Sequence, residues 1–303
     1  TFTFDPIVAG PGIVTVTYTI TEPNGCTDSA TDTYQDITPP SITCPADITV
    51  SNDPGQCDAV VTFMASATDS CPGTTIVYAP SSGSVFPIGT TLVTATATDA
   101  AGNTDACTFN VIVNDTEPPV ANCVAPFTLQ LDVNGMASIT AADINNMSTD
   151  NCGIATTTIA PSTFTCADVG ANTVTLTVTD IYGNSSICTT VVTVEDNVPP
   201  VAVCLNIDVF LDATGTATIT PTDVDGGSND ACGIASLAID INTFTCDADL
   251  GPNDVTLTVI DNNGNVSSCI AVVTVIDNID PVITCLGDIA VNTDPSDCFA
   301  VVF

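Results

Sequence analysis

Apolar and polar residues alternate along most of the chain. Val14, Val16 and Tyr18 interleave with Thr15, Thr17 and Thr19. Successive side chains of an extended chain face opposite sides, and β-branched residues pack well there, so residues 13–19 read as a strand. The same alternation predicts strands at 48–50, 59–63, 90–98 and 107–113. Between them lie turn-forming stretches: Pro23-Asn24-Gly25, Asn52-Asp53-Pro54-Gly55 and Asp99-Ala100-Ala101-Gly102-Asn103. Residues 67–71 read as a loop. Helical periodicity is absent, and one helical turn at 141–145 is the only expected exception. The fold class is all-β.

The alternating blocks come in a larger repeat. An Asp-bearing linker, a Pro-Pro or Asp-Pro step and a cysteine recur, beginning at Asp36, Asp115, Asp196 and Asp277. Pro40, Pro119, Pro200 and Pro281 stand 79, 81 and 81 residues apart. A fixed period of this size means tandem domains, each as long as a small β-sandwich. The expected units are 37–116, 117–197 and 198–278, joined end to end. Residues 1–36 align without a gap to 161–196, with Phe4 on Phe164 and Gly10 on Gly170. They read as the C-terminal half of a repeat, and 279–303 as the N-terminal part of another. Proline stiffens each step between domains.

Charge changes the picture sharply. The 303 residues include 35 Asp and Glu but no Lys, Arg or His. No side-chain salt bridge can form, so each carboxylate must meet water, a hydrogen-bond donor or a cation from solution. Nucleic acid is excluded as a partner because nothing neutralises phosphate, and insertion into a membrane is not expected. Lys-based isopeptide cross-links are impossible. Catalysis lacks a His or Lys base and an Arg anion clamp, so an enzyme is not expected. The hydrophobic fraction of 45% and a mean hydropathy of +0.42 argue against disorder. Fifteen cysteines without a CxxC pair point to disulfides and an extracellular, secreted location.

The run Pro39-Pro40-Ser41-Ile42-Thr43-Cys44-Pro45-Ala46-Asp47-Ile48-Thr49-Val50 resembles the opening of a hyalin repeat (HYR) domain. Phe86-Pro87-Ile88-Gly89-Thr90-Thr91 and Thr98-Asp99-Ala100-Ala101-Gly102-Asn103 carry the same resemblance. It is close over 38–116 and looser over 117–278, which keep the linker, the Asp–Gly-Asn turn and the cysteines but lack Phe-Pro-Ile-Gly. The resemblance implies a tandem array of disulfide-stapled immunoglobulin-like β-sandwiches in extracellular adhesion proteins, including large bacterial surface adhesins. It carries over no catalytic residue.

Three cysteine positions are common to every complete repeat: Cys44/Cys123/Cys204, Cys71/Cys152/Cys232 and Cys107/Cys188/Cys269. A fourth moves between Cys57, Cys166 and Cys246. In a sandwich whose first and last strands both begin at the N-terminal end, the expected pairs are Cys44–Cys107, Cys123–Cys188 and Cys204–Cys269. A constant spacing of 14 residues then suggests Cys57–Cys71, Cys152–Cys166 and Cys232–Cys246. The rival pairing joins Cys44 to Cys71 and Cys57 to Cys107. Cys26, Cys285 and Cys298 would find partners elsewhere.

A cation site at each linker is the leading candidate chemistry. Asp180 and Asp261 have the parity of the core-facing rows that precede them. The turns they open are expected beside the linker and the Asp150 or Asp230 loop. Three groups follow: Asp36, Asp69 and Asp99; Asp115, Glu117, Asp150 and Asp180; Asp196, Asp230 and Asp261. Hard carboxylate ligands suit Ca²⁺. The competing reading makes each Asp–x–x–Gly–Asn a turn whose Asp caps backbone N–H groups. Asn114, Asn146, Asn184 and Asn265 open Asn-x-Ser/Thr triplets, and Asp28-Ser29-Ala30 resembles an O-glycosylation pattern; such triplets also arise by chance in a Thr-rich chain.

The expected function is structural or adhesive, a surface stalk or filament of serial repeats. Its partners would be further repeats of the same chain or neighbouring copies, with cell-surface glycans or proteins as targets. A binding module acting through loops is the alternative. A longer continuous chain is favoured over a fibre in which copies complement each other's end strands.

Overall fold

The computed structural model describes residues 14–283. They fall into two compact units. The first takes the chain up to Phe127 with Ile139–Ser162 and Thr173–Val192, and the second takes Thr128–Ser138, Thr163–Asn172 and the chain from Thr193. Strands dominate both. Residues 1–13 and 284–303, including Phe4, Gly10, Cys285 and Cys298, lie outside the described residues.

In the first unit Val14–Thr21 and Thr27–Tyr34 form an antiparallel hairpin. A four-stranded sheet follows, in the order Ile48–Ser51, Thr104–Asn114, Gly89–Thr98, Thr75–Ala79. Asp58–Val61 pairs with Ser84–Pro87, and the two layers close on a shared core. Ala59, Val61 and Phe86 come from one layer, and Val93, Phe109, Val111 and Val113 from the other. Phe63 stands edge-on to Tyr78, Phe86 and Phe109, with ring centroids 5.3, 5.9 and 5.0 Å apart, an arrangement that aromatic quadrupoles favour.

The second unit repeats this plan. Its sheet runs Ile207–Phe210, Val266–Ile276, Gly251–Asp261, Ile234–Ile239, and Thr216–Thr218 pairs with Thr243–Thr245. Its core gathers Ala217 and Phe244 against Val255, Leu257, Val259, Ala271, Val273 and Val275. A third sheet of the same order is Phe127–Gln130, Ser185–Glu195, Gly170–Asp180, Ile154–Ala160. The architecture is that of immunoglobulin-like β-sandwiches.

Several elements differ from the sequence reading. Residues 67 and 68, expected in a loop, belong to the strand Ser66–Thr68, which pairs with Ser41–Thr43. Strands Thr75–Ala79 and Ser84–Pro87 had no clear alternation to announce them. The strand expected over 59–63 ends at Val61, where the Phe63 N–H turns to Ser82 Oγ at 2.8 Å. The helical turn is Ala141–Ile144, held by a reciprocal cap between Thr140 and Asp143.

The constant cysteines pair through the sheet register. Ile48–Ser51 runs parallel to Val111–Asn114 with an offset of 63 residues. That is also the separation of Cys44 and Cys107, which are bonded. Cys123–Cys188 and Cys204–Cys269 form likewise.

The spacing argument fails for the others. The structure holds Cys57–Cys152 and Cys166–Cys232, and leaves Cys71 and Cys246 unpaired. Cys57–Cys71, Cys152–Cys166 and Cys232–Cys246 are therefore not formed. The reason is where the strands deliver each cysteine. The 52–57 turn is tied to the outgoing linker, since the Asn52 N–H donates to the Asn114 carbonyl and Gly55 N–H to Glu117 Oε2. Cys71 sits with Asp69 at the incoming linker beside Asp36. Cys152 belongs to the first unit and Cys166 to the second. Cys232 lies with Asp196, whereas Cys246 lies against Gly215.

Candidate cation sites at the linkers

Each linker is built from the same three pieces. The first is a local turn at the linker Asp, whose Oδ1 accepts the N–H two residues on. The pairs are Asp36 with Thr38 at 3.0 Å, Asp115 with Glu117 at 3.1 Å and Asp196 with Val198 at 3.1 Å. The second is the loop Asp, whose Oδ1 accepts the N–H of the cysteine that follows. The distances are 3.4 Å at Asp69, 2.8 Å at Asp150 and 2.7 Å at Asp230. These bonds fix one oxygen of each carboxylate, and at all of them but Asp230 the other oxygen is buried.

The third piece is the Asp–x–x–Gly–Asn turn. Asp180 Oδ1 accepts the N–H groups of Tyr182, Gly183 and Asn184, and its Oδ2 accepts Asn184 Nδ2. The Asn184 amide also donates to the linker carbonyl of Asp115 at 3.3 Å. Asn103 reaches the Asp36 carbonyl and Asn265 the Asp196 carbonyl in the same way, at 3.1 Å each. This Asn is the clamp that sequence reading missed. The recurrence of Asn after Gly in all three turns was its signal.

Three acidic groups result, each with ligand atoms within 4.8 Å of one another: Asp36, Asp69 and Asp99; Asp115, Asp150 and Cys152; Asp196, Asp230 and Cys232. Cys152 and Cys232 are disulfide-bonded, so only the carboxylates there are hard ligands. Oδ2 of Asp36, Asp69, Asp115, Asp150 and Asp196 is buried without a hydrogen-bond partner. Asp115 is 8% exposed and Asp196 6%. An unpaired buried carboxylate oxygen is costly, and two facing each other more so. A chain without a single cationic side chain can relieve it only with a bound water, a cation from solution or a shared proton. The carboxylates of the linker Asp and the loop Asp could therefore hold a metal ion.

Electrostatics separate the two kinds of carboxylate. Burial pushes the Asp115 carboxyl above its ordinary value, against the Glu117 N–H bond, and Asp180, Asp150 and Glu117 add to the rise. Asp180 and Asp261 are also buried, which works upward, yet their Asn and backbone donors together hold them below the ordinary value. Asp99 is held down by the same kind of turn.

The structure gives some of the expected ligands other partners. Asp180 and Asp261 lie outside the acidic groups and act as turn caps. Asp99 lies within its group, but both its oxygens already accept from Asn103. Glu117 is taken up elsewhere: its Oε2 accepts from Asn52 Nδ2, Gly55 N–H and Asn151 Nδ2 at 3.2, 2.9 and 3.0 Å. Among the glycosylation candidates Asn114, Asn146 and Ser29 are exposed. Asn184 and Asn265 have their side-chain amides committed to the linkers.

No helix among the described residues is long and apolar enough to cross a membrane. Residues 35–113 match the HYR domain family. The chain is 30% identical to hyalin of Strongylocentrotus purpuratus over 285 residues, covering 87% of this chain and 23% of that protein. It is 31% identical to hyalin of Lytechinus variegatus over 301 residues, covering 92% of this chain and 55% of that protein. The chain thus spans about half or less of these relatives. Both are animal proteins and lend no support to a bacterial adhesin. A structure of three titin Ig domains covers 80% of this chain at 11% identity, with a TM-score of 0.34. Residues 35–113 thus match a HYR domain, and the hyalin likeness supports a protein of HYR/Ig-like domains.

Proposed function

We propose that this chain is a segment of an extracellular structural or adhesive protein whose working part is a series of HYR/Ig-like repeats, 37–116, 117–197 and 198–278. The observation that carries this reading is the pair of disulfides Cys57–Cys152 and Cys166–Cys232. Each bond joins residues on opposite sides of a linker, so the linker's ends are fixed covalently rather than left to swivel. A protein that transmits force between its ends gains from such joints; an isolated binding domain does not need them. Disulfides in this number require an oxidising compartment, and both hyalins support the same setting by similarity. A stalk or filament built from further repeats or neighbouring copies follows, with cell-surface proteins or glycans as its contacts.

Ca²⁺ is the cation proposed for the linkers. Asp36 with Asp69, Asp115 with Asp150, and Asp196 with Asp230 would hold it, and bound ions would neutralise the facing oxygens.

The test of location is antibody labelling of intact, unpermeabilised cells and their matrix, with non-reducing peptide mapping of the recovered protein. Surface or matrix label with both linker-spanning disulfides intact is expected. Label confined to the cytosol, or recovery with reduced Cys57 and Cys152, would overturn the reading.

A further inference from the structure

Cys71 and Cys246 occupy the same built positions as cysteines that are bonded elsewhere in the chain. The incoming position lies two residues after the loop Asp and donates its N–H to that Asp. Cys152 and Cys232 fill it and are disulfide-bonded. Cys71 fills it too, bonded to Asp69 through its N–H at 3.4 Å, and only 7% exposed. The outgoing position follows a short Thr-Phe-Thr strand and packs on the glycine of an Asp–x–x–Gly turn. Cys166 follows Thr163–Thr165 and lies 3.7 Å from the Gly135 carbonyl. Cys246 follows Thr243–Thr245 and donates its N–H to the Gly215 carbonyl at 3.2 Å. Its thiol is exposed.

The linker beyond Cys246's repeat also starts like the others. The Ile279 N–H donates to Asp277 Oδ1 at 3.0 Å, the turn made at Asp36, Asp115 and Asp196.

We propose that Cys246 is the outgoing half, and Cys71 the incoming half, of this same linker-spanning disulfide, each bonding a cysteine of an adjoining repeat. The proposal rests on the serial-repeat reading above. For Cys246 the partner is a cysteine in an Asp-Xaa-Cys loop of a repeat placed after Asp277. For Cys71 it is an outgoing cysteine of the preceding repeat, on a turn like that of Cys57, since Pro6 stands where the aligned Cys166 position falls. Each bond forms between two thiol sulfurs. Two protons and two electrons leave to a disulfide oxidant of the glutathione disulfide class, which becomes two thiols. The chain is then one continuous covalent ladder, stapled at every joint.

The experiment uses residues 1–278 followed by a second copy of residues 198–278, which supplies an Asp230-Ala231-Cys232 loop after the 277 linker. The chain is secreted, oxidised in a glutathione buffer, alkylated and mapped without reduction. Cys246 of the first copy should be found bonded to Cys232 of the second, while the final Cys246 is fully alkylated. Cys246→Ser in the first copy should expose one added thiol, that of the second Cys232. Alkylation of the first-copy Cys246, or its bonding to Cys71 or Cys26, overturns the proposal. The same digest reports Cys57–Cys152 and Cys166–Cys232. If those are present and Cys246 is free, only the ladder falls; if they are missing, the serial-joint reading falls with it.

Discussion

Asp150, half-buried, and Asp180, buried, show how two carboxylates near one linker carry opposite duties. Asp180 is saturated by four donor contacts. Asp180→Asn would set an amide nitrogen against the Asn184 amide and weaken charge-assisted bonds, costing about 2 kcal/mol. The loss should be the same in chelator and in Ca²⁺. Asp150→Asn keeps an oxygen for the N–H groups of Cys152 and Gly153 and removes one of two unpaired buried oxygens. In chelator its melting temperature should equal or exceed that of the parent; in Ca²⁺ it should gain nothing. Calorimetry of the two variants in both conditions checks this, and a parent unaffected by Ca²⁺ would remove the ion from the account.

The pH response follows with its sign. Asp115 has a raised pKa in the fold, so its ionisation costs stability as pH rises above the ordinary carboxylate value of 3.8. Asp180 is lowered. Its contribution is present above 3.8 and lost as pH falls through its folded value. A bound cation needs Asp115 ionised. The melting increment produced by Ca²⁺ should therefore shrink as pH is lowered through the raised Asp115 value, before the turn at Asp180 is weakened. An increment independent of pH in that window would exclude Asp115 as a ligand.

At the scale of elements, three turns give a controlled comparison. Gly55, Gly135 and Gly215 have similar positive φ, +73°, +71° and +76°, so an alanine meets a similar backbone strain of about 1–2 kcal/mol at each. Their surroundings differ. A Cβ at Gly55 meets nothing within 4 Å, at Gly215 it meets Cys246 Sγ at 3.1 Å, and at Gly135 it meets Cys166 Sγ at 2.5 Å with Cys232 Sγ at 3.4 Å. Gly135→Ala should destabilise more than Gly55→Ala and leave Cys166 and Cys232 partly alkylatable. Equal effects at the two positions would mean that the turn does not brace the disulfide.

The same turns explain what the sequence could tell. Alternation located the long strands because a half-buried strand must alternate. Strand Thr75–Ala79 buries alternate residues without alternating in sequence, and its register comes from pairing with Gly89–Thr98, a long-range property. The constant cysteines were legible because the pairing of first and last strands follows from sandwich topology. The moving cysteines were not, since a spacing of 14 residues carries no record of which end of a sandwich each turn reaches. Acidic clustering was legible through the repeated Asp positions. What remained hidden was the division of labour, because identical aspartates become a turn cap or an unpaired oxygen according to which N–H groups the folded backbone aims at them.

At the scale of the whole molecule, 35 acidic residues without one Lys, Arg or His make every charge–charge interaction among its side chains repulsive. Stability should therefore rise with monovalent salt, opposite to a protein held by ion pairs, because screening relieves exposed repulsion over about 8–10 Å at physiological salt. Melting curves from low salt to about 0.5 M NaCl test this, and a falling melting temperature would show that charge repulsion is not the dominant long-range term. Screening alone, however, cannot satisfy the buried Oδ2 atoms of Asp115, Asp150 and Asp196, which lie beyond the reach of a diffuse ion atmosphere. At fixed ionic strength, replacing part of the NaCl by CaCl₂ should add a second, saturable increment. Asp150→Asn together with Asp230→Asn should abolish most of that increment while leaving the NaCl response intact. An increment that never saturates, or that survives both substitutions, would assign the effect of Ca²⁺ to general screening and leave the joints to their disulfides and asparagine clamps.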